Sequence, residues 1–448
     1  MEGPLYITDR NGDLNVFNLN ANDLDLNLDT NRVKPSNRWN AGDGFVFRRS
    51  RKSFHFSPIL VTGEFCLANI QNLFIIVTYR VMDRTNNKKQ VFVGLSGGVD
   101  SAVSAALLKE AGYKVVGVFI KVWEPEGRVC TWRNERRAAY AVAATLDIPL
   151  HTLDLSAEYK QAVIDYMLSE YQAGRTPNPD VMCNREIKFG AFAKKAFELG
   201  ADYIATGHYC QMKNLKIKME NGGKTIQTLT MAVDQNKDQS YFLWAIKPDL
   251  LPKILFPIGH LTKLAVRRLA EKFKLPNANK KDSQGLCFVG DFDFKQFLKE
   301  ELGEKPGQVL NEQGMVIGEH PGAYLYTIGE RHGFTVTEDD KSGEPWYIIS
   351  KDSAANTLTV AHQPKSTGGA KSVETLKLKD TNWFLSPDPN KTYQARPRYR
   401  APLSDCRLEK DTEGDWQLTF LTPAVSPAAG QSVVVYDGEM VAGGGVVI

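Results

Sequence analysis

Cysteine is scarce in this chain of 448 residues, and its six copies (Cys66, Cys130, Cys183, Cys210, Cys287 and Cys406) include no C-x-x-C pair. That pattern speaks against a zinc ribbon and against a disulfide-dense secreted scaffold. An excess of one charge is also missing. With 55 Lys and Arg against 52 Asp and Glu, the net of +3 announces neither nucleic acid nor a membrane surface. The longest apolar stretch, Phe54 to Met82, is broken by Glu64, Asn69, Gln71 and Asn72 and falls short of a membrane span. No charged segment followed by an apolar run opens the chain, so a cytoplasmic location and no membrane partner are expected. The full Walker pattern, in which a Gly-Lys-Ser/Thr follows another glycine after four residues, does not occur, which disfavours a γ-phosphate-cleaving NTPase. What is present is the balance of a globular protein: 42% hydrophobic, 10% aromatic and 24% charged residues, in a length that implies two or three domains.

The charge is unevenly placed. Residues 1–90 hold 12 Lys/Arg and 9 Asp/Glu, leaving 43 against 43 for the remainder. Asn and Asp fill 15 of the 35 positions from 9 to 43, and their side chains compete with the backbone for hydrogen bonds, so an irregular arm is expected over 1–89. The basic run Arg48 to Lys52 reads as solvated surface.

From Val91 the texture alternates. Strands are predicted at 91–95, 115–120, 150–155 and 203–206, with helices at 102–111, 134–146, 157–172 and 187–199. This rhythm predicts an α/β doubly wound parallel sheet over 90–245, with ligands at the carboxyl ends of its strands. A small, basic, helical central domain is expected over 246–304, where Lys263, Arg267, Arg268, Lys272, Lys274, Lys280 and Lys281 face the single acid Glu271. Short β-rich runs separated by Gly, Pro, Asn and Asp predict a C-terminal β-barrel over 305–448.

Gly94-Leu95-Ser96-Gly97-Gly98-Val99-Asp100-Ser101 stands where the first strand gives way to the first helix. Glycines let backbone approach phosphate oxygens, the serines offer hydroxyls, and the helix N-terminus adds amides and its dipole, so this is a pyrophosphate cradle. Two cysteines stand in loops with cations nearby. Cys183 follows a Pro-rich stretch, Gly174 to Val181, and precedes Arg185 and Lys188; Cys287 ends Lys280-Lys-Asp-Ser-Gln-Gly-Leu-Cys. Amides and cations favour thiolate, so each is expected to be an accessible, reactive thiol.

The Ser-Gly-Gly-x-Asp-Ser core resembles the PP-loop of the N-type ATP pyrophosphatases, which split ATP between its α- and β-phosphates and adenylate a carbonyl oxygen. That motif alone leaves the acceptor open. Ala173-Gly-Arg-Thr-Pro-Asn-Pro-Asp180 with Cys183-Asn184, Ala205-Thr-Gly-His-Tyr209, Asn236-Lys-Asp-Gln-Ser-Tyr-Phe242, Lys281 to Cys287, Thr327-Ile-Gly-Glu-Arg-His-Gly333 and Pro427 to Gln431 narrow it. Together these ordered matches, over some 350 residues, make the chain from Val91 to Val447 similar to the tRNA-specific 2-thiouridylases. The resemblance implies an enzyme that uses ATP and Mg²⁺ to adenylate the C2 oxygen of the wobble uridine in the tRNAs for Lys, Glu and Gln. Persulfide sulfur, supplied by a cysteine desulfurase or a relay protein, then replaces that oxygen.

By the same resemblance Cys287 carries the persulfide and Cys183 is the nucleophile, the two ending each turnover as a disulfide. Asn178, Pro179 and Asp180 would contact the target base, with Asp180 handling a proton. Gly207 and the main chain at Ile120 would join Gly94–Ser101 in binding ATP, with any Mg²⁺ near Asp100. His208, Lys237, Asp238, Gln239, Arg398, Tyr399 and Gln431 would touch tRNA. Independently of the family, arginines alternating with a tyrosine over Arg396 to Arg400 on a predicted strand suit phosphate and base contacts, and the seven cations of 263–281 suit an RNA backbone. The chain departs from the family pattern at Cys130 to Tyr140, which lacks the usual aspartates, and at Ile120, where methionine is common. Residues 1–88 have no counterpart. The competing readings are another PP-loop adenylating enzyme, one thiolating cytidine or making lysidine, and an RNA-binding homologue without turnover; neither requires both loop cysteines.

Overall fold

The computed structural model describes residues 4–8, 14–18, 89–125, 132–217, 224–281, 294–337, 343–362 and 372–448. The chain divides into two units, Met1–Val81 and Met82–Ile448. In the first, β1 (Pro4–Thr8) and β2 (Leu14–Asn18) pair antiparallel, Pro4 opposite Asn18 and Thr8 opposite Leu14. This departs from the expected irregular arm. Leu5, Tyr6, Ile7, Val16 and Phe17 supply β-favouring residues between the Asn and Asp.

In the second unit a five-stranded parallel sheet forms first. β3 (Gln90–Gly94) lies at its centre; β4 (Lys114–Lys121) and β5 (Leu150–Asp154) add on one side, and β6 (Tyr203–Ala205) starts the other. Central strands of a covered parallel sheet are buried on both faces, and β3 and β4 are accordingly near-continuous runs of Val, Phe and Ile. Helix Val99–Glu110 packs Ala102, Ala105 and Ala106 inward, and helix Trp132–Leu146 buries Ala139, Val142 and Ala143. A helical run from Ser156 to Gln172 passes through a π-type stretch at Lys160–Asp165. The next run begins at Pro179, eight residues ahead of the predicted start, because Asn178 caps it and Pro179 occupies its first turn.

In this unit three strands ahead of the β-rich end went unforeseen. β7 (Gln211–Ile217) and β8 (Lys224–Thr230) form a hairpin within the catalytic half of the chain. Farther on, β9 (Ile254–Leu255) completes the parallel sheet beside β6, so the sheet reaches into the stretch expected to be purely helical. Helix Lys263–Lys272 and helix Phe294–Leu302 follow.

The β-rich end forms two sheets. β10 (Gly307–Leu310), β11 (Val316–His320), β12 (Thr335–Val336), β13 (Trp346–Asp352) and β14 (Thr357–His362) make one, in the order β12-β11-β10-β14-β13. The other contains β15 (Ser372–Trp383), β16 (Tyr393–Arg396), β17 (Ser404–Lys410), β18 (Trp416–Val425), β19 (Ser432–Asp437) and β20 (Met440–Val447). Pairing of β15 with both β18 and β20 closes these six strands into a barrel, which removes their free edges. The unbroken apolar run of β19 has a reason: Val433 and Val435 fill the barrel, while Val434 and Tyr436 face the core shared with Tyr241 and Trp244. Among the described residues no helix is long and apolar enough to cross a membrane.

Candidate functional site

Strand order reverses between β3 and β6, and such a switch point leaves a crevice at the carboxyl ends of the strands. Gly94 to Ser101 lies there. Leu95 N–H still bonds Val118 across the sheet at 2.8 Å, after which the chain turns through Gly97 at φ +75°. A Cβ on Gly97 would stand 2.5 Å from the Glu135 carbonyl oxygen, so both conformation and space demand glycine. The Ser96 and Ser101 hydroxyls are 3.3 Å apart, Gly98 N–H donates to Ser96 Oγ and Ser101 Oγ donates to the Gly98 carbonyl, which holds the loop open as a cradle. Gly98 caps helix Val99–Glu110 without a side-chain acceptor. The helix dipole and amides therefore face the loop. Gly207, just past β6, approaches so closely that a Cβ there would meet Ser101 N at 2.6 Å. Ile120 is buried near the carboxyl end of β4, opposite Leu153 of β5, on the other side of β3 from Gly207.

Sequence reasoning missed what surrounds this loop. Asp100 accepts from the Tyr209 hydroxyl at 2.8 Å and from Lys263 Nζ at 2.8 and 2.9 Å. Lys280 Nζ reaches Glu135 at 2.9 Å and the Gly97 carbonyl at 3.4 Å, and Asn277 Nδ2 donates to that carbonyl at 3.0 Å. The cations of the basic segment are divided: Lys263 and Lys280 turn to the loop and Arg267 donates to the carbonyls of Ala278 and Lys280, while Arg268, Lys272, Lys274 and Lys281 are exposed, Lys272 in a surface pair with Glu110. The acids nearest the loop are already engaged by lysines, and the one metal-compatible acidic cluster among the described residues, Asp411, Glu413 and Asp415, lies in the turn between β17 and β18. Among the described residues, no group of three metal-compatible side chains includes Asp100.

The second part of the site is the 174–183 segment, held from several directions. Thr176 N–H donates to Ala429 at 2.8 Å, Thr176 Oγ1 lies 3.2 Å from Thr327 Oγ1, and Gln431 Nε2 donates to the carbonyls of Thr176 and Pro177. Asn178 caps the next helix through Val181 N–H at 3.2 Å and also hydrogen-bonds Tyr241, whose hydroxyl donates to the Ser432 carbonyl. Pro179 and Asp180, both half-buried, form the first helical turn, with Cys183 one turn beyond Asp180 on the same face. Cys183 is 0% exposed, which corrects the expectation of an accessible loop thiol: the early helix start turns it into the core. Cys287 lies outside the described residues.

The residues expected to touch tRNA separate into two groups. His208 is 6% exposed, with Nδ1 2.8 Å from Thr206 Oγ1, Nε2 3.4 Å from the Lys188 ammonium, and its ring between Phe189 and Phe256. Burial and then that cation push its pKa well below the usual histidine value. Asp238, 2% exposed, accepts from Ala232 N–H, Ser240 N–H, Ser240 Oγ and Arg396. Gln239 accepts from Tyr209 N–H at 3.0 Å, and Gln431 serves the Thr176 loop. His208 and Asp238 are thus buried among protein partners, whereas Gln239 and Gln431 are half-buried and each also serves the backbone of a neighbouring segment.

Lys237 is half-buried and Arg398 exposed, and the fold unites their segments: Arg396 pairs with Asp238, Arg400 donates to the Asn236 carbonyl, and the Tyr399 and Phe242 rings meet tilted, with centroids 4.4 Å apart. The strand expected through Arg400 ends at Arg396, before Pro397, and Arg400 adopts φ +62°. The alternation therefore does not continue and Arg396 points inward.

A PP-loop at the switch point of a parallel sheet, followed by a small sheet and a closed barrel, defines a multidomain nucleotide-binding enzyme of the HUP class. Family models agree: a tRNA methyl transferase HUP domain matches residues 89–291, a tRNA methyl transferase PRC-barrel domain 295–362, and an aminomethyltransferase beta-barrel domain 373–447. The tRNA-specific 2-thiouridylase MnmA of Nitrosomonas eutropha is 43% identical over 369 residues, 81% of this chain and 99% of that protein. Those of Pseudomonas fluorescens (45% over 368 residues, 80% of this chain and 94% of that protein) and Listeria welshimeri (41% over 374, 82% and 96%) are similar. The chain belongs to the tRNA-specific 2-thiouridylase family.

Proposed function

We propose that this protein is an ATP-dependent sulfurtransferase that converts the wobble uridine of the tRNAs for Lys, Glu and Gln to 2-thiouridine in the cytoplasm. The observation that supports the reading is that one unit contains both a pyrophosphate cradle at the switch point and an Asn178–Cys183 turn, the latter held by the barrel through Gln431 and Ala429. A uracil carbonyl oxygen is a poor leaving group. Its O2 attacks the α-phosphate of ATP, the bond to the bridging oxygen breaks, and pyrophosphate departs with the electron pair, with any Mg²⁺ arriving on the phosphates rather than in a protein cage. Asn178, Pro179 and Asp180 orient the base. Sulfur from a persulfide on Cys287, charged by a desulfurase or relay protein, is released with the help of the Cys183 thiolate and adds at C2. AMP then leaves with the original oxygen, and Cys183 and Cys287 end as a disulfide that a reductant reopens.

The test is incubation with ATP, unmodified tRNA and a persulfide donor, read as 2-thiouridine, AMP and pyrophosphate. Cys183→Ser is expected to abolish thiolation; full activity in both Cys183→Ser and Cys287→Ser rules out the relay. A binder without turnover would release no AMP with tRNA present.

A further inference from the structure

The phosphate loop contains no lysine of its own. Backbone amides and one helix dipole carry only partial charges, far less than a triphosphate brings. The fold places two ammonium groups beside the loop from a segment 163 residues or more downstream. Lys263, whose side chain is 15% exposed, lies against Asp100 in the first helical turn, and Tyr209 steadies that carboxylate from the other side. Lys280 lies between Glu135 and the Gly97 carbonyl. Asn277, 7% exposed, donates to the same carbonyl, while its Oδ1 is buried and has no partner among the described residues. A buried acceptor without a partner marks a place where a ligand group or an ordered water belongs. Each lysine is held by an acid on an element that borders the loop, so both ammonium groups are oriented beside the backbone that would receive a phosphate.

We propose that Lys263 and Lys280 are the pyrophosphate-binding cations of this enzyme, contacting the β- and γ-phosphates of ATP while Asp100, Tyr209 and Glu135 hold them in position. The inference rests on the ATP-dependent reaction described above. When uracil O2 attacks the α-phosphate, the electron pair of the breaking P–O bond stays on the departing pyrophosphate, and two ammonium groups bound to its oxygens stabilise that charge. The segment read from its sequence as an RNA grip thus gives two of its seven lysines and arginines to the nucleotide.

Isothermal titration of ATP, of inorganic pyrophosphate and of adenosine into the full-length wild type, Lys263→Ala, Lys280→Ala and the matching Lys→Arg proteins tests this. Each alanine variant should lose about tenfold to a hundredfold in pyrophosphate affinity, the range of a lost charge-assisted hydrogen bond. Adenosine affinity should be unchanged and the arginine variants should recover most of the loss. Because removing Lys263 strands Asp100 and can disturb folding, the wild type is also treated with adenosine diphosphopyridoxal. Its aldehyde, at the terminal phosphate end, condenses with a neighbouring lysine amine with loss of water, and borohydride reduces the imine. Label on Lys263 or Lys280 supports the assignment. Unchanged pyrophosphate affinity in both folded alanine variants, or label confined to other lysines, overturns it. Wild type that binds neither pyrophosphate nor ATP overturns the ATP-dependent reading itself, so the two failures are distinguishable.

Discussion

Replacing Asp238 by alanine separates a structural role from an RNA-binding one. The Asp238 carboxylate, 1% exposed, receives two backbone N–H groups, the Ser240 hydroxyl and the Arg396 guanidinium at 3.2 Å. Arg396 is itself 12% exposed, its Nε has no partner among the described residues, and its remaining neighbour is the Tyr436 ring at 5.4 Å. Alanine would leave that guanidinium buried without its counter-ion, which costs about 3–5 kcal/mol. The stranded N–H groups of Ala232 and Ser240 add to this, though not additively. For a cooperative unit of this size the loss lowers the thermal midpoint by roughly 5 °C. Asp238→Asn, which keeps the shape and one acceptor, should lose about half as much. Combining Asp238→Ala with Arg396→Ala should cost less than the two single changes together, with a coupling of about 1–3 kcal/mol. Thermal and urea unfolding of the four proteins give these numbers, and filter binding gives tRNA affinity. An Asp238→Ala protein as stable as the wild type but about tenfold weaker for tRNA would refute the structural assignment.

Gln431→Ala should loosen the Thr176–Pro177 carbonyls it holds and lower kcat about tenfold, with little change in the KM for tRNA, measured by steady-state thiolation. Gly207→Ala should push the Asp100–Ser101 backbone out of place, since the new Cβ would lie 2.6 and 2.8 Å from its atoms; the expected result is a loss of ATP affinity of about tenfold or more by titration. The depressed His208 pKa means the folded chain keeps the ring neutral while the unfolded chain takes up a proton below about 6.5. Its contribution is intact above that pH and is lost as pH falls toward the folded pKa. In a thermal-midpoint series from about pH 8 to pH 5, His208→Gln should therefore show a shallower decline than wild type.

Local rules carried the reading wherever a residue acts through its own neighbours. Val91–Val93 and Val115–Ile120 announce buried parallel strands because both faces are covered, and Gly94–Ser101 announces a phosphate loop because glycine conformation and helix amides act within a few positions. The start at Pro179 was also within reach, since Asn178-Pro179 is a capping signal; read as loop, it made Cys183 look exposed. What stayed hidden depends on partners far along the chain. Nothing near Lys263 reveals that Asp100 will face it, and the charge count of 263–281 could not separate cations turned inward from those left in water. Likewise Gln211 to Thr230 has modest strand character on its own, and Asp238 and His208 look polar enough for a surface until packing encloses them.

The β7–β8 hairpin bears on how the protein is made. Thr230 finds its pairing partner in Met440, Thr228 Oγ1 donates to the Val441 carbonyl, and Met231 N–H donates to Glu439. A ribosome adding about 5–20 residues per second exposes this hairpin on the order of ten seconds or more before that partner strand exists. During that interval the Thr176 loop also lacks Ala429 and Gln431. The nascent parallel sheet can form early, but the turn at Thr176 waits for Ala429 and Gln431, so a chain stopped short of Ala429 would leave the translation machinery with its nucleotide loop built and its thiolation turn unsupported.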